Sequence, residues 1–510
     1  MKRSVTKLFL ALTLMGASFT LITSCTEEGL DGENGLDGVN GVDGKDGENG
    51  KDFTPSPSLF SNKSSLNPLV NISASFNNVK AYSLISSTDV LSNGFRLVGA
   101  QDGAGFLKDG DEFIYVVNAE DDYGVSRIRF DEFMNPIKGD WLLNAGVADF
   151  ARQCSATMWE KDIHGGDKDI FLSASESIAY DVKGIDPWVE TPTPTADFGL
   201  DALGEFSWEN AVPLPKEAYS GKTVIIGGDD DSSGSEGQVT MYVSENGDAD
   251  LENGKIYVLR FKQISDGANG VKAVDANAVY NEGSLDFGGT YDVEFVEIEN
   301  GASMTKNEME TACTSVFASQ FMRVEDVDYQ KGSDANARNV FFAVTGRGPG
   351  RGTYNDWGTV YKLELDDTNP LEGKLTQVVS GNTDTNNKDG NLAALQSPDN
   401  ICVTENYIYV QEDPNSFSRG HAAQIYQTDL NGNNANVVLE LQIESNLSPT
   451  GSSNFSGEFG ALIDVSDKIG QPDTFILALQ PHYWQSDDFK SANLPHNQGG
   501  QIVLLQGLPR

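Results

Sequence analysis

The sequence predicts an all-β protein, a β-propeller of about six blades with a short helical insertion, and three observations predict it. Six apolar runs with strand character recur along the chain: Glu112-Phe-Ile-Tyr-Val-Val117, Asp169-Ile-Phe-Leu-Ser173, Thr223-Val-Ile-Ile226, Val340-Phe-Phe-Ala-Val344, Tyr407-Ile-Tyr-Val-Gln411 and Thr474-Phe-Ile-Leu-Ala478. Most are followed by a polar, acidic or glycine-rich loop, and several by a second strand, as in Gly358-Thr-Val-Tyr-Lys-Leu363, Ala423-Gln-Ile-Tyr-Gln427 and Gly500-Gln-Ile-Val-Leu-Leu505. Little of the chain has the period of an amphipathic helix. A small antiparallel sheet recurring every ~50–70 residues marks a propeller, since one such sheet buries its faces only by stacking on its neighbours. A large β-sandwich is the alternative architecture; the repeat count favours the propeller.

Residues 1–24 predict a lipoprotein signal peptide. Lys2, Arg3 and Lys7 stand before an apolar run from Leu8 to Ile22 that is short for a spanning helix. The run ends in Leu21-Ile22-Thr23-Ser24-Cys25, which resembles a lipobox: small residues fit the peptidase and the Cys25 thiol takes the lipid. The expected anchor is that lipid alone, because no later segment is long and apolar enough to cross a bilayer. The expected location is the bacterial cell envelope, at the outer membrane, and Thr26-Glu27-Glu28 resembles the acidic tag of surface-exposed lipoproteins. Residues 25–58 read as a spacer. Gly29, Gly32, Gly35, Gly38, Gly41, Gly44, Gly47 and Gly50 recur at period three among Asp, Asn and Glu. Collagen shares that period but relies on imino acids, absent here, so a hydrated flexible coil is expected instead of a trimerising stalk. Pro55-Ser-Pro57 closes the spacer, and 59–510 is the expected propeller domain.

The 510 residues carry 35 Lys and Arg against 76 Asp and Glu, a net charge of −41. Such a field repels nucleic acid and anionic lipid and attracts divalent cations. With 38% hydrophobic and 22% charged residues the chain has enough apolar material for a core. Apart from Cys25 there are three cysteines, Cys154, Cys313 and Cys402, an odd number that argues against a disulfide framework. Between the third and fourth units a longer gap carries the expected insertion, in which Thr305-Lys-Asn-Glu308 reads as a capping box opening a helix from Lys306 to about Ser319.

The loops of a propeller converge at one end of its central channel, so residues far apart in sequence meet there. In this chain they carry carboxylates: Glu176, the run Asp229-Asp230-Asp231, Glu325 and Asp326 after Arg323, Asp399, Glu412-Asp413, and Glu458. Oxygen ligands without histidine suit Ca²⁺ and fit zinc poorly. The plain alternative is acidic turns that are simply solvated. His164, His421, His482 and His496 have no metal-ligand spacing and read as surface or core residues. Gly346-Arg-Gly-Pro-Gly-Arg-Gly352 places Arg347 and Arg351 in a glycine-rich loop whose N–H groups and guanidinium forks suit an anion. A strand follows it, so it is not a P-loop.

Several motifs occur in an order that is similar to the PhoX-type alkaline phosphatases, a family of bacterial β-propellers. They are Cys154-Ser-Ala with Trp159 and Ile170-Phe-Leu-Ser-Ala-Ser-Glu176, Val224-Ile-Ile-Gly-Gly-Asp-Asp230, Arg323-Val-Glu325, Ser397-Pro-Asp-Asn400 with Tyr409-Val-Gln-Glu-Asp413, and Gly457-Glu-Phe-Gly460 with Leu477-Ala-Leu-Gln480. The resemblance implies an exported phosphomonoesterase holding calcium and iron through carboxylates and one cysteine thiolate, with an arginine on the phosphate. The metal positions it implies are Glu176, Asp229, Asp230, Glu325, Asp399, Asp413 and Glu458; the catalytic ones are Arg323 and Glu325, with Arg347 and Arg351 as further arginine candidates. The chain departs from the family where a Cys-Glu-Glu run is replaced by Ala174-Ser175-Glu176, which removes the expected thiolate and one carboxylate. Cys154 matches an earlier family cysteine and is not expected to replace the lost ligand. Iron is therefore expected to be held less firmly than calcium. Two readings follow: a divergent metal-dependent phosphatase acting on a phosphate ester, or a non-catalytic calcium-binding surface propeller that binds a glycan or protein.

Overall fold

The computed structural model describes residues 60–510 except 149, 191–197, 234–235, 351, 383–389, 415–416, 445, 448–456 and 491–496. The signal segment, Cys25 and the glycine-rich spacer lie outside the described residues. Among the described residues no helix is long and apolar enough to cross a membrane.

The chain is all-β and its sheets are arranged as in a propeller. We number only the two strands of each unit nearest the axis. They are β1 Gln101–Asp109 and β2 Glu112–Ala119, β3 Gln153–Trp159 and β4 Ile170–Ser175, β5 Trp208–Pro213 and β6 Thr223–Asp229, β7 Val324–Tyr329 and β8 Asn339–Val344, β9 Pro398–Val403 and β10 Tyr407–Glu412, and β11 Glu458–Asp464 and β12 Thr474–Gln480. Each pair is antiparallel. The odd-numbered strands pack on one another in chain order, and β11 packs back on β1.

Hydrogen bonding does not divide the molecule into six separate sheets. Four small sheets, of three to five strands, contain the β1, β3, β9 and β11 units. The β5 and β7 units belong to one sheet of nine strands, joined at its middle by Thr290–Ile298, which pairs with Lys255–Phe261 on one side and Glu372–Ser380 on the other. The terminal strands of that sheet, β5 and β7, pack together, so it curls almost closed. The first and last strands are tied: Lys80–Ser86 pairs with Gln501–Gln506 beside β12, and Val70–Ile72 adds to the β9 sheet.

All six apolar runs of the sequence are the even-numbered strands. They are covered on both faces by neighbouring sheets, which is why they read as unbroken apolar stretches instead of alternating ones. Ile114, Val116, Phe171, Leu172, Ile225, Ile226, Phe341, Phe342, Ile408, Val410, Phe475 and Leu477 are all buried. The insertion helix runs Lys306–Ser315, starting at the expected Thr305 cap, where the backbone N–H of Thr305 donates to Glu308 at 3.0 Å. It stops short of Ser319 because Phe317 takes a left-handed conformation, φ 58°.

Candidate metal centre

The site is built by one local device repeated around the axis. In each unit the ladder between the odd and even strand is regular until its axial end, where it slips. Gln101 pairs with Ala119, Gln153 with Ser175, Trp208 with Asp229, Val324 with Val344 and Pro398 with Glu412; in each unit the register shifts directly after that pair. A β-bulge re-aims the side chain that follows it, and sheets use bulges at active sites for that purpose. The re-aimed residues are Asp102, Cys154, Glu209, Glu325 and Asp399. The residues just past the paired ends of the even strands are Glu120, Glu176, Asp230, Thr345 and Asp413. In the last unit Glu458 begins β11 opposite Gln480, and His482 lies two residues beyond.

These side chains meet. Ligand atoms of Glu120, Cys154 and Glu176 lie within 4.8 Å of one another, and so do those of Asp102, Cys154 and Glu209; of Glu176, Glu209 and Asp230; of Glu209, Glu325 and Asp399; and of Asp399, Asp413 and Glu458. The overlapping groups form one track of nine carboxylates and a thiol. They line a cavity of about 330 Å³ together with Asp121, Arg152, Arg323 and His482.

Charge in that cavity is far from balanced, ten carboxylates facing two guanidinium groups. Arg323 lies on Asp230 through Nε at 2.6 Å and Nη2 at 3.0 Å, and its Nη2 is 2.8 Å from Glu325. Arg152 reaches Glu120 at 2.9 Å and Glu176 at 3.2 Å. His482 Nε2 is 3.0 Å from Glu458. Burial, reinforced by the neighbouring carboxylates, pushes Asp102, Glu209, Glu325, Asp399 and Glu458 well above the usual carboxylate range, against the pull of Arg323 on Glu325 and Asp399. Glu176 is pushed up to about 8 by burial and then by Asp230. The Cys154 thiol is raised by burial and then by Glu176. A bound cation would favour the ionised form of such groups, and their oxygen-rich donor set with a single sulfur fits a cluster of hard cations with one softer ion at the Cys154 end.

Of the expected site residues, Glu176, Asp230, Arg323, Glu325, Asp399, Asp413 and Glu458 come together here. Asp229 does not. Successive side chains of a strand point to opposite faces, so with Asp230 in the cavity Asp229 is turned away: it accepts from Ser207 N–H at 2.8 Å and lies 3.6 Å from Lys306. Arg347 is exposed, hydrogen-bonds Ser232 and does not line the cavity; Arg351 lies outside the described residues. The missing thiolate is also corrected. Ala174 and Ser175 bring none, but Cys154 of the adjacent strand supplies a thiol to the track. His482, read from sequence as a surface or core residue, is in the cavity wall.

Sequence reasoning missed Asp102, Glu120, Arg152 and Glu209. Glu120 had the same signal as Glu176 and Asp413, an acidic residue just past an apolar strand. Asp102 and Glu209 had none, because the odd strands begin with no apolar run.

No family model matches this chain, and no curated protein matches it. Among solved structures it is similar to Pseudomonas fluorescens PhoX in complex with vanadate, a transition state analogue, with a TM-score of 0.58 and 13% identity over 88% of this chain and 99% of that one. At that identity the likeness is one of fold. A putative 6-phosphogluconolactonase from Bacteroides fragilis matches over 65% of this chain and 82% of its own, with a TM-score of 0.30 and 14% identity. The α-L-arabinofuranosidase PaAbf62A from Podospora anserina matches over 83% and 94%, with a TM-score of 0.32 and 9% identity.

Proposed function

We propose that this chain is a metal-dependent phosphomonoesterase on a lipid-anchored propeller. The observation that carries the reading is the track of nine carboxylates and Cys154 in one cavity with two arginines. Asp102, Glu120, Glu176, Glu209, Asp230, Glu325, Asp399, Asp413 and Glu458 would hold calcium, and Cys154 with Glu120 and Glu176 would hold a softer ion such as iron. Cations bound there supply polarisation of phosphoryl oxygens and stabilise charge during in-line displacement. Arg323, gripped by Asp230 and Glu325, presents a planar fork of the kind that binds phosphate. The ring of six odd-numbered strands supports counting the nine-stranded sheet as two blades bridged by Thr290–Ile298, which makes six blades in all.

The test is turnover of a generic phosphomonoester by the purified chain supplied with calcium, with iron, and with both. Glu325→Ala is expected to lose nearly all of it, since that side chain touches both Arg323 and the metal track. Absence of turnover above a buffer blank in every metal condition leaves a calcium-binding propeller without catalysis. Membrane attachment is tested separately: labelled palmitate should enter the wild-type chain and not Cys25→Ser, and equal labelling of the two removes the lipid anchor.

A further inference from the structure

Arg152 and Arg323 occupy corresponding places in the fold. Each stands one residue before an odd-numbered strand and two before a residue of the metal track, Cys154 in one case and Glu325 in the other. Both line the same cavity and both are paired with carboxylates. They are held very differently. Arg323 has a left-handed backbone, φ 68°, grips both oxygens of Asp230, and has a side chain only 19% exposed. The Arg152 side chain is 43% exposed and forms ion pairs with Glu120, nearest through Nη1, and with Glu176, nearest through Nε.

We propose that Arg152 is a second anion-binding residue of this cavity, an accessible guanidinium that takes the phosphate group of the substrate alongside Arg323. The inference rests on the phosphomonoesterase reading and deepens it by assigning the residue that sets substrate affinity. A cavity so rich in carboxylates repels a phosphate dianion unless fixed cations face it, and Arg152 is the more solvent-accessible of its two guanidinium groups. The ion pairs of Arg152 with Glu120 and Glu176 hold the guanidinium at the cavity wall, and its exposure leaves it open to a ligand oxygen. Arginine suits this because its donors lie in one rigid plane matched to phosphate, which an ammonium does not reproduce.

The experiment compares wild type, Arg152→Lys and Arg152→Gln, each as purified with its metals, by calorimetric binding of inorganic phosphate, by steady-state hydrolysis of p-nitrophenyl phosphate and by elemental analysis. Loss of a charge-assisted hydrogen bond to a charged ligand is worth ~10–100-fold in affinity. Arg152→Gln should therefore weaken phosphate binding and raise KM by about that factor, with a smaller change in kcat and unchanged metal content, and Arg152→Lys should lie between. If Arg152→Gln binds phosphate as wild type does while wild type turns over, this assignment is overturned and the phosphatase reading stands. A fall in metal content that accounts for the lost affinity overturns it too, since Arg152 would then only clamp Glu120 and Glu176. If wild type neither binds phosphate nor turns over, both readings fall together.

Discussion

At the residue scale, what a carboxylate does here depends on the face of the strand it leaves from. Asp229 and Asp230 are neighbours in sequence, yet one serves the fold and the other the cavity. Asp229 is 1% exposed, pushed up to about 7 by burial against the pull of Lys306, and it ties the Ser207 turn to the insertion helix. Asp230 lies in the acidic track and holds Arg323. Cys154 is the sulfur of the track, with a thiol raised by burial, and a metal bound there is expected to take the place of its proton. Elemental analysis should therefore separate three variants. Cys154→Ser should lose iron and keep calcium, Asp230→Asn should lose part of the calcium, and Asp229→Asn should keep its metal while losing stability by about 1–2 kcal/mol, measured by urea unfolding. Equal metal loss from Asp229→Asn and Asp230→Asn would contradict the geometry.

At the scale of elements, the ring closes only because backbones of adjacent odd strands approach closely where the ligands project. A Cβ on Gly103 of β1 would lie 2.1 Å from the backbone N of Ala156 in β3, and one on Gly460 of β11 would lie 2.4 Å from the carbonyl O of Gln101 in β1. These atoms are backbone and have nowhere to move. Each glycine sits inside a bulge, Gly103 directly after Asp102 and Gly460 two residues after Glu458. Gly103→Ala and Gly460→Ala are expected to cost about 1–3 kcal/mol or more through overpacking, and to misplace Asp102 and Glu458, so metal content should fall together with the melting temperature. Wild-type melting and metal content in either variant would mean that the strands are not packed as described.

Over the whole molecule, the central channel contains two cavities of different character. The larger, about 680 Å³, is lined by the far halves of the odd strands, and its cations are already paired: Lys331 with Asp328, Lys468 with Glu160, Arg510 with Asp464. A buried polar layer lies between the two, where Asn400 receives Ser155 Oγ–H at 3.0 Å and donates to Asp102 at 3.2 Å, and Asn210 donates to Asp326 at 2.6 Å. The smaller cavity concentrates the carboxylates, and stability is expected to depend on pH and metal together. Burial raises Asp102, Glu120, Glu209, Glu325, Asp399 and Glu458 there, and Glu176 to about 8, and beside it Asp326 is raised to about 7 by burial. The metal-free folded chain thus retains protons that the unfolded chain releases above about pH 4.5. Its stability falls as pH rises from there through about 8. Cation binding displaces those protons and reverses the trend. With chelator the chain should melt lower at pH 8.5 than at pH 6. Millimolar Ca²⁺ should raise the melt at pH 8.5, a hundredfold excess over the dissociation constant being worth about 2.7 kcal/mol. NaCl of equal ionic strength should not, because buried charges are little screened. A melt that ignores chelator, or NaCl that mimics calcium, would sink the metal centre.

The sequence by itself determined the all-β class, the six buried strands, the start of the insertion helix at Thr305 and part of the site: Glu176, Asp230 and Asp413 past apolar strands, and Arg323, Glu325, Asp399 and Glu458 through the order of their motifs. These were legible because strands covered on both faces read as apolar runs, a capping box is local, and a carboxylate just past an apolar strand is visible as a change of composition. Tertiary structure alone decided that Asp102, Cys154 and Glu209 belong with them and that Asp229 and Arg347 do not. A bulge reorients a side chain without any compositional mark, and the fusion of two units through Thr290–Ile298 depends on pairing between segments far apart in the chain. The direction in which Asp229 points, and the distance from Cys154 to Glu120, are fixed by how neighbouring strands meet at the axis, and that is a property of the closed ring, not of any stretch of sequence.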